Sequence, residues 1–197
     1  MKEKDSVACR RRHILGAAER LLRHYGPSKT TVADIAKAAN VGVGTIYLEF
    51  PSKDAILVAL SEERCGAIFG AMQSAALGEG RHAERLGRIL ELRLDAFLEL
   101  ADAGVHAVDL VHCTACPAIH GVWMSFESRQ RVLFRELLRE ASEAGVFSCR
   151  DPERSAGALL QAFSAFTPPV LYSRPLEGMR TEQAALLELI ILGLARR

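Results

Sequence analysis

The 197-residue sequence predicts an all-α protein. Nearly every apolar pattern repeats at i, i+3, i+4 and i+7, the spacing of one helix face, and no segment alternates as a half-buried strand does. Breaks at Gly26-Pro27, Pro51, Gly78 to Gly80, Ala103-Gly104, Cys116-Pro117, Gly145 and Thr167-Pro168-Pro169 cut the chain into pieces of helix length. Apolar residues at 49% and charged residues at 25% are ordinary globular values and exclude a disordered or collagen-like chain.

The elements follow in order. From Arg10 to Tyr25 the residues Ile14, Ala17, Ala18, Leu21 and Leu22 form one apolar stripe, which Gly26-Pro27 ends. Thr31 with Asp34 three residues on is a capping box, and Val32, Ile35, Ala36 and Ala39 continue it as a short helix. After a turn at Asn40-Val41-Gly42, a third helix over Val43 to Leu48 turns Ile46 and Phe50 inward and stops at Pro51. Ser52 then caps a long helix with Ile56, Leu57 and Leu60 on one face. Further helices are expected over Arg81 to Ala101, Val105 to Cys113, Pro117 to Ala144, Pro152 to Phe166 and Thr181 to Arg196.

Two short helices separated by a few residues, the second of about two turns, form a helix-turn-helix signature. So short a helix cannot hold itself up in water and must be held by its neighbours. Rigid display of a short helix is what reading a DNA major groove requires.

The net charge of +1 hides an asymmetry. Residues 1–60 carry ten basic and six acidic side chains, net +4, and residues 61–197 carry net −3. All five lysines lie in the first 53 residues. The five cysteines, at positions 9, 65, 113, 116 and 149, do not form a secreted disulfide framework, and a reducing cytoplasm is expected. The first residues lack the apolar stretch of a signal peptide. The most apolar run, Ala184 to Ala195, is too short to span a bilayer, so no membrane partner is expected. No nucleophile motif, phosphate-cradling glycine loop or paired-carboxylate cleft is present; a Cys/His enzyme pairing Cys113 with His106 is the remote alternative, and no enzymatic activity is expected.

The run from Thr30 to Leu57, TTVADIAKAANVGVGTIYLEFPSKDAIL, resembles the DNA-binding domain of the TetR (tetracycline repressor) family. The resemblance rests on Ile35-Ala36, Asn40-Val41-Gly42, Gly44-Thr45-Ile46-Tyr47, Phe50 and Ser52-Lys53-Asp54, and covers about Arg11 to Leu60. It implies an N-terminal arm and three-helix DNA-binding domain over residues 1–55, and a helical effector-binding and dimerisation domain over 56–197. It further implies a homodimer, built through the last two helices, that sits on an inverted-repeat operator in double-stranded DNA. Its function would be that of a regulator, a repressor released by a small, largely apolar effector, with no cofactor.

The DNA contacts this implies are Lys29, Thr31, Gly42, Val43, Gly44, Thr45, Tyr47 and Lys53. Gly44 lacks a Cβ and lets a backbone come close to DNA. Thr45 suits a phosphate oxygen or a thymine methyl. Tyr47 either packs as a core aromatic or reaches a phosphate through its hydroxyl. Lys53, at a helix start where the dipole disfavours a cation, would share a phosphate with that helix N-terminus. Lys29 is either a backbone contact or a solvated loop lysine. Gly42 stands where the family usually has a serine, and Leu48 and Glu49 replace residues that are usually aromatic or histidine. Glu49 reads as a solvated flank or, alternatively, as an acceptor for cytosine N4.

For the remainder, Ala184 to Leu194 is apolar on nearly every side and needs a second burying surface, which a partner chain supplies. Candidate lining for an effector pocket is His106, Leu110, Cys113, Trp123, Phe126, Phe163 and Phe166. Core packing explains the same residues equally well. A metal- or haem-responsive alternative uses the Cys/His cluster from His106 to His120, with His112, Cys113, Cys116 and His120 as candidate ligands.

Overall fold

The computed structural model describes residues 2–104, 106–112 and 116–195, with side chains from residue 8 onward. Among them are eight α-helices: α1 (Lys2–Tyr25), α2 (Val32–Ala38), α3 (Val43–Glu49), α4 (Lys53–Leu77), α5 (His82–Asp102), α6 (His120–Glu143), α7 (Pro152–Ala162) and α8 (Met179–Leu194). The only pairing of extended backbone among the described residues is an isolated antiparallel bridge between Phe147 and Ala195.

Two compact units are present, Met1–Cys65 with Leu100–Trp123, and Gly66–Glu99 with Met124–Arg197. These units do not follow the sequence boundary at 55/56. In the first, the α1 stripe Ile14, Leu15, Ala17, Ala18 and Leu22 meets Ile35, Ala36 and Ala39 of α2 and its cap. Ile46 and Phe50 of α3 and its cap, and Ile56, Leu57 and Leu60 of α4, complete that cluster together with Leu110 and Ile119. Arg64 of α4 is ion-paired with Glu19 of α1.

Leu110 and Ile119 come from a segment expected to be partly helical over 105–113. Its described part is a single 3-10 turn, Ala107–Leu110. Besides its own turn bonds the segment is tied to α1: the His106 N–H donates to Arg23 O at 3.2 Å, and Arg23 Nε donates to Ala103 O at 2.7 Å. Gly26, with φ +78°, is required twice over, because a Cβ there would also stand 3.0 Å from the His106 ring. Pro117–Ile119 likewise forms a 3-10 turn before α6, and Phe163–Phe166 another after α7.

The second unit buries Leu94 and Phe97 of α5, Phe126, Phe134 and Leu138 of α6, and Phe163 and Phe166 beyond α7. Phe97 and Phe126 meet edge to face at 6.4 Å. The Tyr172 hydroxyl donates to Phe97 O at 2.9 Å, and burial pushes that phenol above its ordinary pKa. On α8, Leu189 and Leu192 stand 69% and 67% exposed, beside exposed Ala184, Ala185 and Gly193.

Because α3 is only seven residues long, its seating depends on Ile46, which is 1% exposed. Ile46→Ala is expected to lower stability by about 3 kcal/mol, measured as a fall in the urea midpoint.

Candidate nucleic-acid interface

The helix pair α2–α3 is built by local chemistry at each end. Thr31 Oγ1 accepts from the Asp34 N–H at 3.2 Å, and Asp34 Oδ2 accepts from the Thr31 N–H at 2.9 Å, the reciprocal capping box. The Thr31 hydroxyl and N–H hold the Asp34 carboxyl below its usual range, so this contribution is present at neutral pH and fades as acid protonates it. At the other end of α2, Val41 N–H donates to Ala36 O and Asn40 N–H to Lys37 O, a Schellman closure. Asn40 takes the left-handed conformation there, with φ 51°. His13 Nε2 contacts Ala39 O at 2.9 Å and adds a further link from α1.

Two residues later Gly42 caps α3, with no side-chain hydrogen bond. The back of α3 is sealed by Ile46 and Phe50, while Gly42, Val43, Gly44, Tyr47 and Leu48 are exposed and Thr45 is half-buried. Tyr47 at 53% exposed is therefore not a core aromatic. Leu48, 82% exposed, extends the outward face and had no role assigned from sequence. A Cβ on Gly44 would meet nothing within 4 Å. The fold itself has no use for a glycine at that position.

Glu49 is neither a solvated flank nor a base reader. Its side chain is 6% exposed and its Oε1 accepts from Arg10 Nε and Nη2, each at 2.6 Å. Arg11 Nη1 donates to Glu49 O at 3.0 Å, and the Arg11 guanidinium lies 4.1 Å over the Phe50 ring. A carboxylate at a helix C-terminus opposes the helix dipole, and the α1 arginines offset it. The signal missed in the sequence was the Arg10-Arg11-Arg12 run, read there only as part of a basic head.

Lys53 is also committed internally. Its ammonium donates to Pro27 O at 2.7 Å and Thr30 O at 3.1 Å, fastening the loop that precedes α2. Of its three N–H groups this leaves one for a phosphate. Lys29, on that same loop, is exposed, as are Thr31 and Lys37. Ser52 caps α4 by accepting from the Ala55 N–H at 3.1 Å.

The candidate pocket and metal residues are dispersed. His106 pairs with Asp109 at 2.9 Å, Leu110 is in the first unit's core, and His112 stacks edge-on against Trp123 at 5.5 Å. Phe126, Phe163 and Phe166 are buried in the second unit. Cys116 packs against the first core and His120 is exposed; Cys113 lies outside the described residues. Among the described residues no three His, Cys, Asp or Glu side chains gather as a metal site. No described helix is long and apolar enough to cross a membrane.

Residues 14–60, which span this helix pair and its supports, match the family model for bacterial regulatory proteins of the tetR family. Over this stretch the chain is similar to the DNA-binding domain of TetR-family regulators. It is 41% identical over 59 residues to the HTH-type transcriptional repressor Rv1474c of Mycobacterium tuberculosis, covering 30% of this chain and 32% of that one. It is 32% identical over 77 residues to the fatty acid metabolism regulator protein of Bacillus subtilis, covering 39% of this chain and 40% of that one. The matched stretches thus span well under half of either curated relative. A crystal structure of a TetR family transcriptional regulator from Thermus thermophilus is 26% identical, with a TM-score of 0.63 over 93% of this chain and 99% of that one.

Two substitutions separate display from support in this TetR-like domain. Gly44→Ala is expected to raise stability by up to about 1 kcal/mol through helix propensity, yet to weaken DNA binding measured by anisotropy. Glu49→Gln, which removes the charge from the Arg10 pair, is expected to cost about 1–2 kcal/mol, read as a lower midpoint in thermal unfolding.

Proposed function

We propose that the chain is a dimeric, DNA-binding transcriptional regulator, a repressor that a small-molecule effector releases from an inverted-repeat operator. The observation that carries this is α3: sealed behind by Ile46 and Phe50, it presents Val43, Gly44, Tyr47 and Leu48 outward. Methyl groups and a glycine on a rigid helix suit thymine methyls and close backbone approach, and exposed Lys29 and Thr31 suit flanking phosphates. The relative from Mycobacterium tuberculosis, named a transcriptional repressor, supports the sign of regulation. The exposed leucines of α8 support a homodimer through the last two helices, which would set two recognition helices about one DNA turn apart. The protein would act in the cytoplasm, where the DNA is.

Selection of bound fragments from the source genome tests this reading. An inverted repeat is expected, with affinity falling about a thousandfold or more between 50 and 200 mM salt. Thr45→Ala combined with Tyr47→Phe is expected to weaken binding at least about tenfold with the unfolding midpoint unchanged. Recovery of no common sequence, or full affinity in the double variant, would sink the proposal.

A further inference from the structure

The second unit contains a cavity of about 400 Å³. Its lining is not the aromatic set expected from sequence; it brings together Arg93, Glu127, Gln130, Arg131, Gln161 and Thr167 with a few apolar side chains. Arg93 lies inside the unit, 2% exposed. Its Nη2 donates to Thr167 Oγ1, and the Thr167 hydroxyl in turn donates to Phe163 O at 3.1 Å. Arg93 Nε and Nη1, both fully buried, have no hydrogen-bond partner. Gln130, in the same lining, is 1% exposed, and its Oε1 is also without a partner.

A buried guanidinium with unused donors is costly, and folded proteins rarely leave such a group unanswered. Burial pulls the Arg93 pKa down to about 10, while Glu127 acts in the opposite sense. The group therefore stays charged at neutral pH. A second cation stands at the same cavity. Arg131 is exposed, and its Nη1 lies 3.0 Å from where a Cβ on Gly157 would be, so the glycine makes room for it.

We infer that this cavity is the effector site and that its ligand is a small organic carboxylate, held by the Arg93 guanidinium, which the ligand would draw toward it to answer its unpartnered nitrogens, and by Arg131. Guanidinium and carboxylate are matched in charge and hydrogen-bond geometry. Met124, Leu160 and Val170 in the lining meet the ligand's apolar part, and the Gln130 amide meets a polar one. The word effector rests on the regulator reading above; the anion site rests on the unpaired buried atoms, the cavity and Arg131, independently of that reading.

Thermal unfolding of the full chain in acetate, benzoate and octanoate, with benzyl alcohol, octanol and inorganic phosphate as comparisons, tests the site without DNA. At least one carboxylate is expected to raise the midpoint by about 3 °C at roughly ten times its Kd, the matching alcohol by far less, and phosphate not at all. Arg93→Met is expected to unfold at or above the parent midpoint, since it removes an incompletely paired buried charge, and to lose the carboxylate shift. If that variant does not fold, Arg131→Gln, at an exposed position, is expected to weaken carboxylate binding at least about threefold. Equal shifts from alcohols, a shift from phosphate alone, no shift from any carboxylate, or carboxylate binding unchanged in the arginine variants would overturn the inference. Failure of the regulator reading shows separately, as no selected operator while the thermal shifts persist. Failure of this inference alone shows as operator binding with no response to carboxylates.

Discussion

Seven residues of α3 cannot make a helix unaided, since nucleation in water costs more than two turns return. The surface that faces outward from the first unit therefore depends on how α3 is fastened from behind. Ile46 and Phe50 enter the common core, and the Schellman turn after α2 delivers the chain to Gly42 with a fixed direction. At the far end Arg10 and Arg11 grip Glu49 by its carboxylate and its carbonyl. Each fastener belongs to a different element, so α1, α2 and the start of α4 together set the position of a helix that has little stability of its own.

The fold class and the helix-turn-helix were legible because they rest on local signals. Capping residues, turn residues and the 3.6 period act within a few positions, and the Thr31–Asp34 box and the Ser52 cap are present as their spacing predicts. What was not legible depends on distance along the chain. Glu49 looks solvated in sequence because its partner, Arg10, is 39 residues away. Lys53 looks like a free cation until the loop at Pro27 to Thr30 folds beneath it. The segment around Ala107 has helical spacing, yet its described part is a single 3-10 turn tied to α1 through the His106 N–H, a contact 80-odd residues away in sequence that the local pattern does not encode.

Arg93 shows the same limit from the other side. In sequence it is one of many arginines on an amphipathic helix, and only packing makes it a buried charge beside a cavity. Aromatic residues are the obvious pocket candidates in a sequence, but here Phe126, Phe163 and Phe166 are spent on the core. Hydrophobic burial stabilises the unit through these rings, and the polar residues around Arg93 are what remains to give the cavity its chemistry.

The membership of Leu100–Trp123 in the first unit bears on how divisible the molecule is. Leu110 and Ile119 fill the same core as Ile46, and His106 occupies the space that Gly26 leaves open. A reader domain cut after α3, or even after Cys65, would lose those plugs and carry a hole among its buried leucines and isoleucines. The helix-turn-helix module is therefore not a bead that one break in the chain can detach. Transplanting its specificity onto another scaffold means moving two separated stretches of sequence together, and evolution by simple domain exchange meets the same obstacle.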